Sequence, residues 1–143
     1  MQAALAYPQT SHLPPQIDLG DAAERARLSD GALTAFFKIM EIWKIRDEDA
    51  RALLGGVSNG TFYALKKGAG KPLDEDRLRR ISYLIGIFKA LNILHGQDLA
   101  DRWLHLPNSN RIFNGSTALA YLIRGGLPAF QTLRRLLDAR RGG

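Results

Sequence analysis

The spacing of hydrophobic residues along the chain is helical from residue 21 onward. Apolar residues recur three and four positions apart over residues 28–43, which predicts one long helix or two short ones, because Ser29 and Asp30 could begin a new helix partway along. A second apolar stripe runs through residues 78–94. No segment alternates apolar and polar residues as a strand does. The sequence therefore predicts an all-α protein.

Residues 47–68 carry the signals of a helix-turn-helix. Acidic residues at 47–49 favour the positive end of a helix dipole, and Gly55 and Gly56 stop this first helix where left-handed backbone is needed. Ser58 is placed to cap a second helix over residues 59–67. Two short helices joined by a tight turn predict a helix-turn-helix, an arrangement that can bind DNA.

The outer face of this second helix combines short polar groups, which can read base edges, with lysines, which can meet phosphates. Gly60 weakens the helix and no arginine lies on it, so a plain helical hairpin with a solvated face stays open as an alternative. Further basic residues follow at Lys71, Arg77, Arg79 and Arg80, and a dimer would present this basic segment to two half-sites. The candidate DNA-binding residues are Ser58, Asn59, Thr61, Tyr63, Lys66 and Lys67.

The central helix is predicted to begin at Pro72 with the acidic residues 74–76 and to run to residue 94. Its apolar arc widens at Tyr83, Ile87 and Ile93, which suggests a homodimer through this helix.

The last third is predicted to form short helices separated by turns. The segments are residues 98–104, 116–124 and 127–140. Ser116 is expected to cap the second of these, Gly125 to end it, and Pro128 to open the last.

Composition limits the classes of protein that this chain can belong to. Its 143 residues are 45% hydrophobic and include no cysteine, which suits one compact domain or two small helical ones without disulfides or thiolate metal sites. No export signal or membrane span is visible, so we expect a cytoplasmic protein. Pro8, Pro14 and Pro15 predict a flexible arm over residues 1–20.

Charge is unevenly spread along the chain. The net charge is +6, but residues 1–65 hold six Lys or Arg against eight Asp or Glu, and the remainder holds fourteen against six. The second half is therefore expected to meet an anion or an acidic partner, unless this charge is only a solvated helical surface.

No catalytic constellation is visible. His12, His95 and His105 are dispersed without the spacing of metal ligands, and the KKGAGKP stretch at 66–72 lacks the GK[ST] of a phosphate-binding loop. We expect no metal, no cofactor and no enzymatic activity, and instead a binding module.

Several motifs resemble a known family over residues 52–143. They are LLGGVS, LDEDRLRRISYLIGIFKALNIL, the WLHLPN passage, IFNGSTALAYLIRGG and the final LRRLLDARRGG. Together they resemble the Xre antitoxin of RES-Xre type II toxin–antitoxin pairs, the MbcA/ParS/Xre group. This resemblance implies an N-terminal Xre/Cro-like helix-turn-helix that binds DNA, and a C-terminal region that binds and blocks a RES-domain toxin, an enzyme that consumes NAD.

The resemblance also implies which residues would bind the toxin. These are Trp103, Asn108, Phe113, Gly115, Arg124, Gly125, Gly126, Arg140, Arg141, Gly142 and Gly143. A pocket for a pyrophosphate should contain cationic donors, and a slim Arg-Arg-Gly-Gly tail could place an anion there. The alternative for this segment is a frayed terminus.

These observations predict four segments: a flexible arm (1–20), a helix-turn-helix region (21–71), a central, possibly dimerising helix (72–94) and a toxin-binding region with a C-terminal tail (95–143). The expected function is that of an antitoxin that also represses its own operon, as a homodimer within a hetero-oligomeric complex. A stand-alone repressor without a toxin partner and a helical adaptor that never touches DNA are the alternatives.

Overall fold

A computed structural model describes residues 18–68 and 70–142, which form seven α-helices and no strand. The all-α prediction is thereby confirmed. Two 3₁₀ turns, Trp103–His105 and Arg111–Phe113, lie between the fifth and sixth helices. The helices are α1 (Ala22–Ile42), α2 (Asp47–Leu53), α3 (Asn59–Lys66), α4 (Glu75–Leu94), α5 (Gln97–Arg102), α6 (Ala118–Gly125) and α7 (Leu127–Gly142).

The first helix is continuous, although Ser29 could have capped a second one. The side chain of Ser29 is buried inside α1, where its hydroxyl donates to the carbonyl of Arg25 at 2.5 Å. The same oxygen accepts from the backbone N–H of Leu73 at 2.9 Å. Because this hydroxyl ties α1 to the segment before α4, it is not available as a cap. Asp21 caps the helix instead, through a bond from Ala23 N.

The chain before α1 differs from the predicted flexible arm over its last three residues. Residues 18–20 form a turn, in which Gly20 N donates to the Asp18 carboxylate at 2.8 Å. Arg25 then donates to the carbonyl of Leu19, so this turn is fastened to α1. The rest of the predicted arm, including His12, lies outside the described residues.

The turn between α2 and α3 depends on two glycines. Gly55 has φ +100° and Gly56 has φ +86°, backbone angles that residues with a side chain rarely adopt. Gly56 N donates to the carbonyl of Arg51 and Gly55 N to that of Ala52, both at 2.9 Å, which satisfies the free carbonyls at the end of α2. The predicted stop of this helix is confirmed.

The central helix α4 packs against α1, α5 and α7. It begins at Glu75 with Asp74 as its cap, three residues later than the predicted start at Pro72. Ile87 is fully buried in the chain's own core and is therefore not part of a free dimer surface, contrary to the prediction. Tyr83 is half-buried, whereas Ile93 remains 62% exposed. Homodimerisation itself stays a prediction.

Two expectations about the last third are wrong. Thr117, rather than Ser116, caps α6, because the Ser116 hydroxyl closes the preceding turn by donating to the carbonyl of Phe113 at 2.6 Å. The final helix also extends through Gly142, so Arg140 and Arg141 are helical and do not form a pliable tail. Asp138 stabilises this end by pairing with arginines three and four residues away. Gly143 lies outside the described residues.

A single hydrophobic cluster links the N-terminal and C-terminal helices. Its buried members run from Leu33 in α1 to Leu137 in α7, and α2 packs directly against α6. The predicted helix-turn-helix region and the predicted toxin-binding region therefore share one core. Among the described helices, none is long and apolar enough to cross a membrane.

The α6–α7 corner leaves no room for a side chain at Gly125. A Cβ on Gly125 would lie 2.6 Å from the Cβ of Ala129, which is held rigidly in the first turns of α7. We expect Gly125→Ala to lower the free energy of unfolding by about 1–3 kcal/mol through overpacking. Chemical denaturation of the purified chain measures this change.

Gly31 is the matched control for this substitution. It lies within α1, and a Cβ there would meet nothing within 4 Å. Gly31→Ala should therefore stabilise the chain by about 0.5–1 kcal/mol, because alanine loses less backbone entropy in a helix. Equal effects at the two positions would contradict the packing of α6 against α7.

Candidate functional site

Helix α3 exposes the face that the sequence assigns to DNA. Phe62 and Leu65 point into the core, and the other residues of α3 are exposed, with Tyr63 at 51%. The candidate residues Asn59, Thr61, Tyr63, Lys66 and Lys67 are therefore all accessible, but helical spacing places Thr61 on the opposite side of the exposed arc from Asn59, Tyr63 and Lys66. Their contact with DNA stays a prediction.

Ser58 and Thr61 are engaged with each other at the start of α3. Ser58 Oγ accepts from the backbone N–H of Thr61 at 3.1 Å and donates to its hydroxyl at 3.0 Å. The predicted capping role of Ser58 is confirmed. The side chain of Asn59, the next residue, forms no hydrogen bond within residues 18–68 and 70–142, which leaves its amide available to a partner.

Lys66 is held in place by neighbouring helices. Its Nζ lies 3.4 Å from a carboxylate oxygen of Asp47, at the start of α2. The same Nζ lies 5.0 Å from the ring centroid of Phe62, 5.5 Å from that of Tyr63 and 5.9 Å from that of Phe37, on α1. Cation–π contacts of this kind contribute about 0.5–1 kcal/mol each at exposed sites.

The predicted basic segment on α4 is largely neutralised by its own helix. Arg77 pairs with Asp74 at 2.9 Å, Arg79 with Glu75 at 2.5 Å and Arg80 with Asp76 at 2.8 Å. These pairs correct the expectation of three arginines free to meet DNA. The spacing was visible in LDEDRLRR, where an acid precedes each arginine by three or four residues.

Arg80 joins the helix-turn-helix to the C-terminal helices, a role that sequence spacing alone does not indicate. Its side chain is only 17% exposed, although the apolar stripe of α4 suggested an outward position. Nη1 donates to the carbonyl of Leu53 at the end of α2, at 3.5 Å, and the guanidinium lies 5.8 Å from the ring centroid of Phe130 on α7. A single side chain thus touches α2, α4 and α7.

Two of the predicted toxin-binding residues are core residues in this fold. Phe113 is fully buried and Trp103 is 7% exposed. Their rings lie 6.1 Å apart in an edge-to-face arrangement, and Tyr121 on α6 continues the cluster at 5.3 Å from Phe113. These rings pack the 3₁₀ turns onto α6, and contact of Trp103 or Phe113 with a partner stays a prediction.

The remaining candidates lie at two separate places. Asn108 and Gly115 belong to the loop before α6, whereas Arg124 and Gly125 end α6 and Gly126 follows it. Asn108 is also used internally, because its side chain accepts from Asn110 N at 2.9 Å. Arg140, Arg141 and Gly142 lie at the far end of α7, about 21 Å from Gly126 at 1.5 Å per residue. The fold does not bring these two groups into one patch.

Within the described part of the chain, no three His, Asp or Glu side chains come together in a way that could hold a metal ion. At the exposed start of α2, the hydrogen bond from Arg46 to Asp49, together with the charges of Asp49 and Glu48, raises the pKa of the Arg46 guanidinium.

These features define a helix-turn-helix protein with a helical C-terminal part. Residues 21–86 match the antitoxin Xre-like helix-turn-helix domain. The chain is also 38% identical over 112 residues to the uncharacterized protein y4oB of Sinorhizobium fredii (strain NBRC 101917 / NGR234), covering 78% of this chain and 84% of that protein. The chain therefore belongs to the family of proteins with an antitoxin Xre-like helix-turn-helix domain.

The matched domain extends beyond the helix-turn-helix itself. It contains α1–α3 and the first part of α4, and it ends at Gly86, whereas the sequence predicts a boundary at residue 71. Its end falls where α4 packs closely against α7, because a Cβ on Gly86 would collide with the Arg134 guanidinium. No solved structure matches this chain.

Because Arg80 makes more contacts than its neighbour Arg79, its substitution is expected to lower the free energy of unfolding by more. Arg80→Met should lower the free energy of unfolding by about 1–3 kcal/mol, because a buried carbonyl and a carboxylate lose a charged donor. Arg79→Met removes a more exposed pair and should change stability by less than about 0.5 kcal/mol. Urea denaturation of both variants tests this; equal losses would contradict the bridging role of Arg80.

Proposed function

We propose that this protein is the antitoxin of a type II toxin–antitoxin pair, and that it binds and blocks the active site of an NAD-degrading RES-domain toxin in the cytoplasm. It also represses its own operon through α3, acts as a homodimer within a hetero-oligomeric complex, and has no enzymatic activity or cofactor of its own. The observation that carries this proposal is the Xre-like antitoxin domain over residues 21–86, which shares its core with the C-terminal helices.

The DNA-binding part of the proposal is supported by the surface of α3. Its exposed polar face can enter a major groove, while the cap at Ser58 and the two-glycine turn fix the helix in place. Asn59, with a side-chain amide that has no partner in the described chain, is suited to hydrogen bonding with the edge of an adenine.

The toxin-binding part is supported by unpaired charge in the C-terminal third. The side chains of five exposed arginines there form no ion pair or hydrogen bond within residues 18–68 and 70–142, so their charge is available to an acidic surface. The backbone carbonyls at the end of α7 lie at the negative end of the helix dipole, and we expect these acceptors, rather than the cationic side chains of Arg140 and Arg141, to meet the donors of a pyrophosphate pocket. The five arginines are Arg102, Arg111, Arg124, Arg135 and Arg140.

A stand-alone repressor without a toxin partner is the second candidate. One observation favours it: the family domain ends at residue 86 and does not include α5, α6 or α7. In that case the C-terminal helices would serve only to complete the core beneath α2 and α4.

Co-expression with the product of the adjacent gene separates these two candidates. We expect a complex that survives purification and that consumes NAD much more slowly than the toxin released from it. A repressor without a toxin partner would give neither a complex nor inhibition, while still binding the DNA upstream of its own gene.

The end of α7 is expected to take part in the inhibition. Deleting residues 141–143 should weaken inhibition at least tenfold if this end enters the toxin pocket, because the shortened chain stops about 4.5 Å earlier along the helix axis and no longer reaches the donors there. The last fully buried side chain of α7 is Leu137, so this deletion should leave the thermal melting temperature nearly unchanged. Undiminished inhibition by the truncated chain would exclude this role of the helix end.

A further inference from the structure

Lys66 and Lys67 are adjacent lysines at the end of α3, yet their surroundings differ. Sequence alone makes them equivalent phosphate ligands, because both are exposed and both carry one positive charge. The fold gives Lys66 several partners, whereas the Lys67 side chain has none among the described residues. The two lysines can therefore have different roles, although each adds one positive charge.

Lys66 connects the three helices of the DNA-binding unit. Its ammonium group pairs with Asp47 of α2 and lies within 6 Å of three aromatic ring centroids, those of Phe37 on α1 and of Phe62 and Tyr63 on α3. These rings are themselves connected, because Phe62 packs edge-to-face on Phe37 at 5.4 Å and on Tyr63 at 6.3 Å. To reach a phosphate, Lys66 would have to leave this cluster.

Lys67 has no such connection. It follows the last residue of α3 as its C-cap, is exposed, and forms no ion pair or hydrogen bond through its side chain anywhere in the described residues. A phosphate would therefore displace no partner from Lys67.

We infer that Lys67 supplies the phosphate contact at the end of α3, and that Lys66 is a positioning residue that fixes the exposed ring of Tyr63 and the seat of α3 against α1 and α2. This inference rests on the proposed DNA binding. Tyr63 is half-exposed on the DNA-facing surface, and a ring fixed between Phe62 and the Lys66 ammonium presents one orientation to a base step or sugar. In this assignment Lys66 affects which DNA sequence the protein prefers, and Lys67 affects the affinity for any duplex.

The salt dependence of DNA binding distinguishes the two roles. The full chain is titrated onto the DNA upstream of its own gene and onto a random duplex of the same length, at several KCl concentrations. Lys67→Met should lower the slope of log K against log salt by about 0.9 on both duplexes, as expected for one lost phosphate contact. Lys66→Met should leave that slope unchanged and reduce the ratio of specific to random affinity by roughly three- to tenfold.

The substitution Asp47→Asn is expected to change DNA binding in opposite directions for the two possible roles of Lys66, positioning residue or phosphate ligand. If Asp47 anchors a positioning lysine, its loss should lower the specific-to-random ratio, as Lys66→Met does. If Lys66 contacts a phosphate, freeing it from Asp47 and removing a nearby negative charge should strengthen binding to both duplexes with no loss of that ratio. The second result would overturn the inference.

Proton NMR of the lysine side chains gives a readout that does not depend on affinity. The ε-methylene protons of Lys66 should be shifted upfield by the three rings in the free chain and stay shifted in the complex, whereas those of Lys67 should move when DNA is added. A lowered salt slope for Lys66→Met, or loss of the ring-current shift on binding, would refute the assignment. A wild-type chain that binds neither duplex would overturn the proposed DNA binding and this inference with it.

Discussion

The burial of α4 on several sides is the constraint on which the rest of this structure depends. A 20-residue helix is about 30 Å long, enough to carry different neighbours along its length, and this one packs against α1, α5 and α7. Gly86 lets the Arg134 side chain of α7 cross the helix closely, and Ile81 and Ile87 are fully buried. Without α4, neither the helix-turn-helix nor the C-terminal helices would bury their apolar faces.

Sharing one core ties the two halves of the molecule together mechanically. Arg80 contacts the end of α2 and the Phe130 ring of α7, and α2 rests on α6. The helix that precedes α3, the helix proposed to contact DNA, is therefore positioned partly by the region proposed to bind the toxin. Because the two regions share one core, we expect them to unfold together as one cooperative unit.

Net charge is a poor guide to which surface meets an anion in this chain. Most arginines of the helix-turn-helix half and of α4 are engaged by nearby carboxylates or carbonyls, as Arg27, Arg46 and Arg77 illustrate. Arginines without such partners concentrate in the last third. At the end of α3, Lys66 is paired, whereas the Lys67 side chain forms no ion pair in the described part of the chain. The positive charge available to partners is thus set by pairing within helices and not by the count of basic residues.

The sequence by itself determined the helices, because apolar spacing, the Ser58 cap and the Gly55–Gly56 stop are local signals that act within one or two turns. It also indicated which face of α3 is exposed. Only the tertiary structure decided the fate of individual side chains: Trp103 and Phe113 are buried, Ser29 bonds across to Leu73, and Lys66 and Lys67 have different surroundings. The reason is physical, since burial and pairing depend on residues far apart in the chain that meet only when the helices pack.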